Sequence, residues 1–171
     1  MSRLDELIAS KNSLDREGVY ASDVLASHTE LLGVLRNALD EQLRLLAFKA
    51  MCEGDIFHNY RLDVAESEGL SEPVRYNTAV RLRGNSLSLD WVRYAFRKKD
   101  ESGMRVFSSY VQKGAGFKVP MQRFSKAGEE EIGYIEIVES RFAQIRKATA
   151  TLRKLRLALN EFEKDLAKIY D

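Results

Sequence analysis

From Ile135 to Ile169 the chain places an apolar residue at almost every helical turn. Ile135, Val138, Phe142, Ile145, Ala148, Leu152, Leu155, Leu159, Phe162, Leu166 and Ile169 follow one another at steps of three or four. That spacing keeps one side of an α-helix apolar, close to a heptad seam with one three-residue slip at Ala148. A helix of about 40 residues is about 60 Å long at 1.5 Å per residue. Its seam needs apolar cover over all of that length, from the same chain or from another.

Within the chain, the first seventy residues are the matching surface. Ser22 is the expected N-cap of a long helix running towards Glu68, with Leu25, Leu32, Leu35, Leu39, Leu46, Ala50 and Phe57 on one side. Gly54 costs about 1 kcal/mol relative to alanine inside such a helix and marks where a kink is expected. Gly69 and Pro73 end it. A short helix carrying Leu4, Leu7, Ile8 and Leu14 precedes it, up to a break near Gly18. Ser125 is the expected cap of the C-terminal helix, with Glu129, Glu130 and Glu131 near its positive end.

The middle changes period. Val74, Tyr76, Thr78, Val80 and Leu82 alternate with Arg75, Asn77, Ala79, Arg81 and Arg83, as in a half-buried strand. Gly84-Asn85 is a two-residue hairpin turn. Leu87, Leu89 and Trp91 alternate next, then the apolar set moves to Val92, Tyr94 and Phe96, so a bulge is expected near Trp91. A third strand is expected over Met104–Val111. These readings give an α+β fold: a long antiparallel, coiled-coil-like helical hairpin with a small antiparallel β-sheet inserted between the helices. Residues 1–72 form the N-terminal arm, 73–126 the sheet segment and 127–171 the C-terminal helix, within a single domain.

Overall charge is nearly balanced, at 27 basic and 26 acidic residues, but the balance hides a segregation. Residues 73–126 hold twelve basic and three acidic residues, and the remainder holds 15 and 23. A basic segment on acidic arms points to a polyanion, nucleic acid first. If Gly84-Asn85 is the whole loop, Arg83 faces Ser86, Arg81 faces Ser88 and Ala79 faces Asp90. Val80, Leu82, Leu87 and Leu89 then turn to the core, and Arg75, Arg81 and Arg83 share the solvent face with one carboxylate. That face is either solvated or laid against phosphates. The loop Val111–Pro120 carries Lys113 and Lys118 at its shoulders, and its glycines let backbone amides approach a phosphate, although the spacing is not that of a P-loop. Arg141–Arg156 holds six positive charges and no acid. It either lies along a phosphate backbone or pairs with acids of the first arm such as Asp40, Glu41 and Glu53. The residues expected to contact double-stranded DNA are Arg75, Arg81, Arg83, Arg93, Arg97, Lys98, Lys99, Lys113, Lys118, Arg123, Arg146 and Lys147.

Catalytic patterns are poor. His28 and His58 have no metal-ligand spacing around them, and Cys52 is expected to be a buried structural thiol. No GxSxG, HExxH or GxGxxG occurs, and Tyr60 and Tyr110 lack the company a nucleophile needs. The expectation is a non-enzyme with no metal or cofactor. One cysteine, no secretory signal and no apolar run of about 20 residues place it in the cytoplasm, away from membranes.

The arginine-rich hairpin, the strand Gly84–Trp91, the loop Ser109–Gly114 and the segment Tyr134–Arg146 together resemble the MobI family of conjugative mobilisation proteins. The likeness runs from about Arg75 to Leu155, and the N-terminal arm adds nothing specific to it. The resemblance implies an auxiliary factor of integrative conjugative elements and related plasmids. Such a factor binds DNA at the origin of transfer beside a relaxase, with no catalytic residues of its own. A homodimer is expected, because transfer-origin DNA commonly offers repeated sites and the seam outruns the sheet. The alternative is a non-enzymatic dimerisation and protein-interaction module whose basic face meets an acidic partner; RNA binding is a third reading.

Overall fold

The computed structural model describes residues 20–67, 75–99 and 103–170. Its elements are α1 (Tyr20–Ser67), β1 (Tyr76–Arg83), β2 (Ser86–Lys99), β3 (Gly103–Tyr110), a 3-10 turn (Met121–Phe124) and α2 (Glu129–Tyr170). Two long helices with a three-stranded antiparallel sheet between them in sequence make the chain α+β, as its two periodicities require. The expected helix over Leu4–Leu14, the break at Gly18 and the stops at Gly69 and Pro73 lie outside the described residues.

The chain divides into two compact units, one holding residues up to Glu41 with those from Leu152 on, the other Gln42–Thr151. In the first unit α1 and α2 run antiparallel. Arg36 pairs with Glu163, Arg156 with Asp40 and the Leu39 carbonyl, and the rings of His28 and Tyr170 lie 6.1 Å apart. Here the arms pair within one chain. The distal part of the α2 seam is only partly covered: Leu166 is buried, whereas Leu155, Phe162 and Ile169 are exposed. A straight helix drifts about 20° per heptad against a 3.5-residue repeat, so a seam read by threes and fours leaves the packed side. On α1, Leu25 and Leu35 are likewise exposed.

In the second unit the core gathers Ala50, Phe57 and Tyr60 of α1, Tyr76, Leu89 and Trp91 of the sheet, Val119 and Phe124 of the connection, and Ile135, Val138, Phe142 and Ile145 of α2. Trp91 is fully enclosed, edge-on to Phe57 at 5.0 Å and to Phe124 at 5.3 Å. Tyr60 stacks on Tyr134 at 4.0 Å. The helix continues through Gly54, where a Cβ would stand 2.8 Å from Thr78 Oγ1. This glycine serves close approach of α1 to β1. Cys52 is exposed, contrary to expectation. This stretch of α1 is apolar on all sides, so neighbouring residue types do not reveal which side is covered.

Helix starts differ from the expected caps. α1 is already helical at Tyr20, which puts Ser22 inside it. Ser125 closes the 3-10 turn, and Gly128 is the residue before α2. The Gly128 N–H donates to the Glu131 carboxylate, half of a capping box.

The strands lie in the order β1-β2-β3. The hairpin register is Arg83↔Ser86, Arg81↔Ser88 and Ala79↔Asp90, as the two-residue turn dictates, with Gly84 at φ 51°. Pairing continues unbroken through Thr78↔Trp91, Asn77↔Val92 and Tyr76↔Arg93, so the expected bulge is absent. The apolar set changes face because the covered face changes. The face that buries Leu89 and Trp91 exposes Arg93 and Ala95, while the other face stays half-buried from Ser88 to Tyr94.

Candidate nucleic-acid interface

The two parts of the molecule treat their cations differently, and the difference begins inside. Glu139 and Arg146 lie two turns apart on the buried side of α2, 0% and 8% exposed. Arg146 Nη1 contacts Glu139 Oε1 at 2.6 Å and also donates to the Phe117 carbonyl at 2.7 Å, while Nη2 donates to the Leu89 carbonyl at 2.8 Å. Glu139 accepts from the Trp91 indole N–H and the Val119 N–H, each at 2.7 Å. One ion pair thus fastens β2, the loop after β3 and α2 together. Arg146, expected on the DNA-contacting surface, is instead an interior fastener whose donors face carbonyls and a carboxylate.

Other helix cations are also paired internally. Arg141 and Lys49 both reach Glu53, which is 2% exposed. Burial pushes the Glu53 carboxyl up, but hydrogen bonds and charge from Lys49 and Arg141 outweigh this and hold it below the usual carboxylate value. With Arg156 on Asp40, two of the six cations of the basic run of α2 are taken up by acids of α1, and Arg36 of α1 pairs in turn with Glu163 of α2. Lys147, Arg153 and Lys154 remain exposed.

Among the described residues, Arg81, Arg83, Arg93, Lys113, Lys118, Arg123, Lys126 and Lys147 hold no ion pair. Arg83 is exposed at the hairpin tip. Arg81 is half-buried, its guanidinium 4.8 Å above the Tyr110 ring, which extends the basic face from β1 across to β3. The one acid on this face, Asp90, accepts from the Ser88 hydroxyl. Arg97, Lys98 and Lys99 close β2 opposite Arg105, Met104 and Gly103.

The loop after β3 is pinned at both ends. The Val111 N–H donates to the Trp91 carbonyl at 2.8 Å, and Val119 and Phe117 are held by Glu139 and Arg146. Between these anchors residues 112–118 are exposed, with Gly114 at φ 82° and the Lys118 ammonium 3.4 Å from the Ser140 hydroxyl. Lys113 therefore stands three residues beyond the Tyr110 ring that carries Arg81. Arg123 is exposed on the 3-10 turn. Arg75 and Arg93 line, with Tyr94, Ala95 and Lys126, a cleft of about 250 Å³. Lys126 was not among the expected contacts; it reaches the cleft from the connection before α2. Among the described residues no group of three or more His, Cys, Asp or Glu side chains is placed to hold a metal, and no helix is long and apolar enough to cross a membrane.

No curated protein and no solved structure matches this chain. A family model described as MobI protein matches residues 46–160. The match begins well before Arg75 and takes in the part of α1 that packs under the sheet, so the first arm contributes to the likeness after all. It covers more than half of the 171 residues, including the sheet, the pinned loop and the Glu139–Arg146 pair. The chain belongs to the MobI family of conjugative mobilisation proteins.

Proposed function

We propose that the protein is a non-catalytic DNA-binding factor of conjugative transfer, which binds double-stranded DNA at the origin of transfer and assists a relaxase there. The supporting observation is the division of its cations. Arg141, Arg146 and Arg156 of α2 are neutralised by acids of the same chain, whereas, among the described residues, Arg81, Arg83, Lys113, Lys118 and Arg123 hold no ion pair. Unpaired exposed cations retain their full attraction for phosphates, and binding releases the counterions condensed on DNA. Arg81, Arg83, Lys113, Lys118 and Arg123 form the contact set. The test is footprinting on transfer-origin DNA against a shuffled duplex of equal length. Protection of a defined site on the first and none on the second supports the proposal; identical behaviour on both removes the sequence-specific part.

A second copy is the proposed protein partner. Leu45, Phe48, Cys52 and Ile56 recur at steps of three and four along the exposed side of α1, with Met51 beside them and Phe48 67% and Leu45 59% exposed. A helix apolar on all sides is normally covered on all sides. Light scattering is expected to give twice 19.5 kDa for the wild type and a shift towards 19.5 kDa for Leu45→Glu/Phe48→Glu.

A further inference from the structure

The cleft formed by Arg75, Arg93, Tyr94, Ala95 and Lys126 is separate from the hairpin tip and loop, and its chemistry differs from theirs. A duplex backbone is a convex surface met by protruding cations. Here three cations line a concavity of about 250 Å³, and Tyr94 is among its lining residues. The walls are fixed to each other, because the Tyr94 N–H donates to the Arg75 carbonyl at 2.7 Å. Tyr94 is half-buried, with the Arg61 guanidinium 5.8 Å from its ring centroid, which braces the side chain from α1. Arg75 has interactions within the fold and faces the buried Glu131 carboxylate electrostatically, so it is already held in place. Arg93 and Lys126 are exposed and have no acidic partner among the described residues.

We infer that this cleft is a binding site for an unpaired nucleotide of single-stranded DNA, its phosphate held by Arg75, Arg93 and Lys126 and its base laid against Tyr94. Cations lining a groove beside an aromatic ring form the common recognition unit for single strands, since every base offers a π face and every linkage a charge. Paired bases inside a duplex cannot reach such a ring. This assignment rests on the reading of the protein as a DNA-binding factor, but it uses different residues from the duplex surface.

The test compares fluorescein-labelled dT12, a 12-residue abasic strand of equal charge and a 20-base-pair duplex by anisotropy at one salt concentration. The wild type is expected to bind dT12 at least about fivefold more tightly than the abasic strand, the lower end of what one stacked base contributes. Arg93→Ala/Lys126→Ala is expected to weaken dT12 binding about tenfold or more and duplex binding less than about threefold. Tyr94→Leu, which keeps bulk against Arg61, is expected to remove the preference for dT12 over the abasic strand. Arg83→Ala/Lys113→Ala is expected to show the reverse pattern, weakening the duplex and sparing dT12. Equal wild-type affinity for dT12 and the abasic strand overturns the inference without touching the duplex reading, and so does a parallel loss of dT12 and duplex binding in Arg93→Ala/Lys126→Ala. Cleft-dependent binding of dT12 with no duplex binding upholds the site and removes the duplex reading instead.

Discussion

Arg146 sets its charge against Glu139 two helical turns earlier, in the interior, and each residue bonds elements far apart in the sequence. Removing one member of such a pair leaves the other charged and uncompensated, which costs about 3–5 kcal/mol. Arg146→Ala and Glu139→Ala are each expected to fall in that range. Urea unfolding followed through the single tryptophan, Trp91, reads the loss directly, because its indole N–H donates to Glu139.

Gly54 gives a prediction whose sign depends on its neighbour. Alanine there gains about 1 kcal/mol of helix propensity but forces the new Cβ against Thr78 Oγ1, and overpacking of this kind costs about 1–3 kcal/mol. Gly54→Ala alone is expected to destabilise the protein. In a Thr78→Ala background the obstruction is gone, and the same substitution is expected to stabilise by up to about 1 kcal/mol. Thermal unfolding of the four proteins checks the reversal.

Glu131 makes stability depend on pH in the opposite sense to a salt-bridged carboxylate. Burial pushes its carboxyl above the usual 4.5, and the N–H groups of Tyr76 and Gly128 with the charges of Arg61 and Arg75 only partly offset this. The folded state therefore binds the proton more tightly than the unfolded state. Between 4.5 and the raised folded value, stability falls as pH rises. Glu131→Gln keeps one acceptor oxygen at this position and removes the ionisation. Relative to wild type it is expected to be more stable at pH 7, with the difference shrinking as pH falls towards 4.5. Paired urea melts across that range measure it.

Local rules were enough for the sheet: period two around Gly84-Asn85 set the hairpin register residue by residue. They were not enough where burial is decided by a partner element. Arg146 looks like one member of a basic run, yet Glu139 lies seven residues earlier among Val138, Phe142 and Ile145, and that i,i+7 carboxylate on an apolar face was the available signal. Gly128 and Glu131 likewise carry the spacing of a capping box, which the serine at Ser125 obscured. The phase change after Trp91 has two local explanations, a bulge or a change of covered face, and only the position of the core decides between them. Nothing local announces the cleft, because Arg75, Arg93 and Lys126 come from three separate segments of the chain.

The central claim is that duplex DNA is held by the unpaired cations of the sheet and the pinned loop. A salt titration of duplex affinity between 50 and 200 mM, run on the wild type and two charge-matched variants, tests it most directly. Each phosphate contact contributes about 0.9 to the slope of log affinity against log salt. Arg83→Ala/Lys113→Ala is expected to weaken binding and flatten the slope by about two units, while Lys164→Ala/Lys168→Ala on the distal part of α2 leaves both unchanged. An equal loss in the two variants, or an unchanged slope in Arg83→Ala/Lys113→Ala, contradicts the account.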